Sequence, residues 1–200
     1  NQDGKIDRGA YTTADPGDLT VIGNETPRYC YGINLGFNWN GIGISTFWQG
    51  VGKKDWYPRY DSGFFWGQYN RPFGYMLKQH TGDKVYWPRY TTYQTHQSSV
   101  NRPLTINNDR YMQDVSYIRL KNITVDYTFP DRICKKLHIK GLKVWVSGEN
   151  LWTYSPMFEH CDNYDPEVIN AGDSDFRTSE GDGYSYPMLR TVTLGVNLSF

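Results

Sequence analysis

The residues from Tyr186 to Phe200 limit the possible folds more than any other stretch of the chain. Val192, Leu194, Val196, Leu198 and Phe200 fall on one face of an extended strand, and Thr191, Thr193, Gly195, Asn197 and Ser199 on the other. An apolar face backed by small polar residues, with an aromatic at the end, suits a strand that has lipid on one side and a wet lumen on the other. The expectation is the closing strand of a transmembrane β-barrel.

Four further segments alternate in the same way. The first, over 28–39, sets Tyr29, Tyr31, Ile33, Leu35, Phe37 and Trp39 against Cys30, Gly32, Asn34, Gly36 and Asn38. Asn40-Gly41 follows at once, a strong hairpin signal because both residues tolerate positive φ. The second, over 42–50, sends Ile42, Ile44, Thr46 and Trp48 one way and Ser45, Phe47 and Gln49 the other. The third, over 116–129, opposes Ile123, Val125, Tyr127 and Phe129 to Asn122, Thr124, Asp126 and Thr128, and Pro130 stops it. The fourth, over 141–151, opposes Leu142, Val144 and Val146 to Lys143, Trp145, Ser147 and Glu149. The terminal strand, over 187–200, is the fifth.

Short and long connections alternate between these strands, as they do in outer-membrane barrels with tight periplasmic turns and long outer loops. If Phe200 lies at the periplasmic end, the strands run down, up, down, up and down. Both short links then fall inside and both long ones outside, so direction and link length agree. A soluble β-sandwich also shows regularly spaced strands. It accounts poorly for a long connection rich in Trp and Tyr, or for inward faces made of Asn, Thr, Ser and Gly. Five strands do not close a membrane barrel, whose minimum is about eight. The reading is therefore all-β: the last five antiparallel strands of a larger transmembrane β-barrel with long extracellular loops.

Composition excludes other classes. The 200 residues hold 21 basic and 21 acidic side chains, so no basic field favours nucleic acid. Nowhere does the chain approach the roughly 20 consecutive apolar residues of a membrane helix. The first residues are polar, with no leader segment, which suggests a cleaved leader or a piece of a longer protein. Cys30, Cys134 and Cys161 have no metal-ligand spacing, and either a bridge between two of them or three thiols remains open. His80, His96, His138 and His160 are scattered outside any catalytic pattern, and the chain does not read as an enzyme.

Several motifs, in order along the chain, carry a family resemblance. They are Gly23-Asn24-Glu25-Thr26-Pro27-Arg28-Tyr29, Phe47-Trp48-Gln49-Gly50-Val51-Gly52-Lys53-Lys54-Asp55, Tyr117-Ile118-Arg119-Leu120-Lys121-Asn122-Ile123-Thr124, Ser147-Gly148-Glu149-Asn150-Leu151 and Tyr186-Pro187-Met188-Leu189-Arg190-Thr191. Together they resemble the carboxy-terminal end of the SusC/RagA-type TonB-dependent transporters of the Bacteroidetes outer membrane. The resemblance implies a barrel of about 22 strands around an amino-terminal plug that this chain does not contain. It also implies a SusD-like surface lipoprotein over the mouth, outer-membrane lipid around the wall, and import of an oligosaccharide or peptide energised through TonB. Val196, Leu198 and Phe200 become the signal read by the barrel-assembly machinery. The competing function is a passive porin or surface-adhesion barrel without energy coupling.

Three groups of residues are candidates for a site. Asn1, Asp3, Lys5 (through its carbonyl) and Asp7 fit the middle of an EF-hand-like calcium loop, with Gly4 at the sharp turn. The twelfth loop position falls on Ala10, so the bidentate acid is missing. Trp56, Tyr57, Trp66, Tyr69 and Trp87, in the long loop after the second strand, offer planar rings for a partner or a sugar face. Glu159, Asp162, Asp165 and Glu167, then Asp173, Asp175, Glu180 and Asp182, make the last long loop acidic and are expected to form a solvated outer surface. Trp39, Tyr127, Phe129 and Phe200 are expected together at the periplasmic rim as an aromatic girdle.

Overall fold

The computed structural model describes residues 9–10, 12–57, 86, 108–162, 164–169 and 186–200. Its elements are β1 (Tyr29–Trp39), β2 (Ile42–Gly52), β3 (Asp55–Trp56), β4 (Gln113–Asp114), β5 (Tyr117–Thr128), α1 (Asp131–Lys136), β6 (Gly141–Tyr154) and β7 (Thr191–Ser199). The five long strands make one antiparallel sheet in the order β1-β2-β5-β6-β7, and β3 pairs with β4 in a small second sheet. Among the described residues no helix is long and apolar enough to cross a membrane.

The β1–β2 hairpin closes through Asn40 (φ 49°) and Gly41 (φ 86°), the positive values a type I′ turn requires. A side chain on Gly41 would also strike the Thr128 carbonyl, 2.7 Å from its Cβ position. The short α1 fills the β5–β6 link. Pro130 precedes it and supplies the fixed φ that suits a helix start. The strand expected over 187–200 begins only at Thr191. The Met188 N–H is taken by the Asp165 carboxylate (2.9 Å) and the Leu189 carbonyl by Asn150 Nδ2 (3.0 Å), so neither joins the ladder.

The two faces of the sheet differ chemically. On one, Ile33, Leu35, Phe37, Ile44, Val125, Val146, Val192, Val196 and Leu198 are all exposed, and Leu194 keeps 78% of its surface. A contiguous apolar face of this breadth is far larger than the patches soluble monomers leave uncovered. On the other face Asn122 Nδ2 donates to Ser147 Oγ (3.1 Å), and the Thr124 hydroxyl lies 3.1 Å from both Ser147 Oγ and Asn122 Oδ1. Lys143 and Asp126 pair there at 3.0 Å. Trp145 lies flat over Gly195, where an added Cβ would come within 2.2 Å of the indole.

Both long connections leave from one end of the sheet. The two short ones, and Trp39, Tyr127, Phe129 and Phe200, lie at the other. There the Tyr127 and Phe129 rings meet edge to face at 4.9 Å.

Candidate functional site

The connections at the long-loop end build a core of their own. The chain before β1 is tied to the sheet by the Arg28 N–H on the Lys53 carbonyl (3.0 Å) and by the Asn24 N–H on the Asp55 carboxylate (2.8 Å). From there β3, β4 and the residues flanking them set Trp56, Tyr57, Tyr111 and Val115 against Met157, Cys161, Tyr164 and Ile169 of the β6–β7 connection. This cluster joins two loops that are distant in sequence, so each fixes the other. The Tyr86 ring stacks on His160 at 3.6 Å and meets Tyr111 edge to face.

Lys54, Tyr57 and Tyr86 are covered in this region and have polar partners. Lys54, almost fully covered, donates through Nζ to the Ile169 carbonyl. Burial pulls its ammonium below the usual lysine range, against the smaller upward pull of Glu25 and Cys30. Burial pushes the Tyr57 phenol up, with Tyr111 adding to the effect and the hydrogen bond from Asn108 (3.0 Å) opposing it. The Tyr86 phenol is raised by the same cause.

Beneath that core an ionic cluster fastens the β6–β7 connection to the sheet. It depends on a bulge in β5. Leu120 pairs with Trp48 and Asn122 with Phe47, so Lys121 is an extra residue relative to β2. On the other side Leu120 pairs with Trp152 and Asn122 with Glu149, so Asn150 and Leu151 together oppose Lys121 and the extra residue is in β6. Trp48 and Trp152 meet at 5.9 Å on the apolar side, which places Leu120 there as well. Arg119 and Lys121 therefore lie on the polar face. Strict alternation would have put them beside Ile123 and Val125. Arg119 binds Asp165 through Nη2 and Glu167 through Nη1 (2.6 Å), while its Nε donates to Thr153 Oγ1 at 2.8 Å. Lys121 Nζ takes the other Glu167 oxygen at 2.8 Å. A cleft of about 310 Å³ opens beside the cluster, between Thr153 and Asn150 of β6 and Tyr164, Met188 and Arg190 of the β6–β7 connection.

The expected site residues separate under this arrangement. Asp165 and Glu167 are not part of a solvated acidic surface: their side chains are 8% and 17% exposed, because each neutralises a cation of β5. Trp56 and Tyr57 are each 2% exposed, and their rings pack in the loop core. Trp66, Tyr69 and Trp87 lie outside the described residues, as do Asn1, Asp3, Lys5 and Asp7, and Asp173, Asp175, Glu180 and Asp182. Among the described residues no cluster of His, Cys, Asp and Glu is arranged to hold a metal ion. Val196, Leu198 and Phe200 sit exposed on the apolar face. Cys30, Cys134 and Cys161 form no disulfide. Sequence reading missed Arg119, Lys121 and Thr153 as a unit. The one available signal was two cations at alternate positions of a strand whose remaining charge is Asp126 alone.

Comparisons with known proteins agree with this architecture. No family model matches the chain. It is 29% identical over 191 residues to the TonB-dependent receptor P3 of Formosa agariphila and 27% identical over 188 residues to the TonB-dependent receptor P26 of the same organism. Each match covers 92% of this chain but only 17% and 18% of the relative, so the chain spans under a fifth of their length. Its fold is similar to that of the RagAB peptide transporter (TM-score 0.52, 19% identity, 90% of this chain and 18% of that one). It is also similar to the RagAB peptide importer in the open-open state (TM-score 0.55, 18% identity, 93% and 19%). The resemblance carried by the sequence motifs is borne out by both kinds of comparison.

Proposed function

We propose that this chain, a segment of a SusC/RagA-type TonB-dependent transporter, supplies barrel wall and two outer loops to a protein that imports a nutrient across the outer membrane. The observation that carries the reading is the back-to-back chemistry of one sheet, with exposed Leu194 and Val196 on one face and the Asn122–Thr124–Ser147 hydrogen bonds on the other. Such a sheet is stable with lipid against the first face and water against the second. In this reading the short turns face the periplasm and the long connections the exterior. The cluster around Arg119 holds the β6–β7 loop in place over the lumen. The cargo is an oligosaccharide or a peptide, the outer mouth is covered by a SusD-like lipoprotein, and TonB drives transport through a plug encoded elsewhere in the full protein.

Energy-dependent uptake tests the reading. Cells whose growth on a peptide or oligosaccharide mixture requires the full-length protein should stop importing when a protonophore collapses the inner-membrane gradient. Uptake that continues undiminished would instead make the protein a passive pore.

A further inference from the structure

The β5–β6 connection is chemically unlike the rest of the molecule. Between Asp131 and Lys140 it carries Arg132, Lys135, Lys136 and Lys140 against the single acid Asp131. All four cations are exposed, and among the described residues none is in an ion pair. An isolated turn needs no such charge, because its links to the sheet are made by the backbone. The Phe129 N–H donates to the Leu142 carbonyl (2.9 Å) and the Lys140 N–H to the Ser199 carbonyl.

The turn is also amphipathic. Cys134, 2% exposed, points α1 towards the sheet, with its thiol 3.7 Å from the Phe129 carbonyl. Ile133 and Leu137, one helical turn apart and so on one side of α1, remain 39% and 56% exposed. Phe129, two residues before α1, packs on Tyr127 at the aromatic end of the apolar face. At about 3.3 Å per extended residue, α1 begins within a few ångströms of that aromatic rim. Apolar side chains next to unpaired cations at this level match an interfacial element whose apolar groups dip below the headgroups.

We propose that the 131–140 connection is an anionic-phospholipid site, with Arg132, Lys135 and Lys136 on lipid phosphates and Ile133 and Leu137 among the upper acyl carbons. The inference rests on the barrel reading above, which places this end at the periplasmic leaflet. Its occupant is a membrane lipid of net negative charge. Two features favour lipid over a protein: continuity with the lipid-facing surface of the sheet, and the apolar pair between the cations.

The test uses the full-length transporter in detergent, mixed with phosphatidylglycerol or with zwitterionic phosphatidylcholine and examined by native mass spectrometry. Wild type should retain phosphatidylglycerol preferentially. Each cation near an anionic lipid surface is worth about a fivefold gain in binding, so Lys135→Gln with Lys136→Gln should lower that retention by an order of magnitude or more. A second variant, Ile133→Ser with Leu137→Ser, should lower retention of both lipids. Heat-modifiable migration on gels, read in parallel, reports whether the barrel is folded. A protein that is not a barrel fails that control, whereas a wrong lipid site leaves it intact. Equal retention of the two lipids by wild type, or unchanged phosphatidylglycerol binding in the lysine variant, overturns the proposal. So does loss of a bound acidic polypeptide, rather than of lipid, in that variant.

Discussion

Arg119 on β5 and Asp165 in the β6–β7 connection form a buried ion pair, with side chains 4% and 8% exposed. Forty-six positions of sequence separate them. Glu167 completes the arrangement by bridging Arg119 and Lys121. Removing one partner of a buried pair leaves the other charge uncompensated, at a cost of about 3 kcal/mol or more. Arg119→Met should therefore release the β6–β7 connection and make it the first site cut by protease in the folded full-length protein. Lys121→Met, which removes a more exposed cation and leaves Glu167 its bond to Arg119, should have a much smaller effect. Equal sensitivity of the two variants would contradict this ranking.

Trp56 is the largest ring in the loop core, lying 5.5 Å from Tyr164. Trp56→Ala should open a cavity and destabilise the core by about 3–5 kcal/mol. The readout is a lower midpoint for loss of loop protease resistance on heating, while the sheet keeps its heat-modifiable migration. A variant that keeps its loop stability but loses cargo binding would give Trp56 a direct contact role.

The strands were legible because alternation and turn chemistry are local. Asn40-Gly41 and the apolar series of β1, β2 and β7 needed no knowledge of the rest of the chain. The bulge at Lys121 was not legible, since an extra residue inside a strand changes no composition and is specified by pairing with β2. With the bulge hidden, Arg119 and Lys121 carried no sign of facing Asp165 and Glu167, and those acids read as solvated. Trp56 and Tyr57 show the converse limit. An aromatic-rich loop signals either a binding surface or a core, and only the approach of Met157, Cys161 and Ile169 from the other loop decides. The α1 turn gave no helical signal, because six residues are too few to show helical periodicity.

The buried phenols give the loop core a pH dependence of defined sign. Tyr57 and Tyr86 are both raised above the usual 10.0, chiefly by burial. Above that pH the unfolded loops lose phenolic protons that the folded core retains, so stability falls as pH rises further. Lys54 acts oppositely and lower. Its folded value lies below 10.5, so its contribution is unfavourable at neutral pH and improves as pH rises towards 10.5. Loop protease resistance should thus decline beyond about pH 10.5, and Tyr57→Phe should make that decline shallower. An unchanged slope in the variant would exclude Tyr57 as its source.

Charge placed on the two faces of β7 should have unequal consequences. Leu194→Lys puts an ammonium on the exposed apolar face, where a lipid-facing lysine costs about 2–4 kcal/mol near the midplane. It should reduce the amount of folded protein in the outer membrane. Thr193→Lys, on the polar face, should be tolerated. Equal levels of the two variants in membrane fractions would argue against lipid on the Leu194 side.

Nitroxide scanning along β7 tests the central claim most directly. In the full-length protein with Cys30, Cys134 and Cys161 replaced by serine, single spin labels are placed in turn at Val192, Thr193, Leu194, Val196, Asn197 and Leu198, and the protein is reconstituted in lipid. Collision with oxygen, which concentrates in the bilayer, should peak at Val192, Leu194, Val196 and Leu198. Collision with a polar nickel chelate should peak at Thr193 and Asn197. A profile with no period of two, or with the nickel chelate reaching Leu194 and Val196 as readily as Thr193, would contradict a sheet with lipid on one face and lumen on the other.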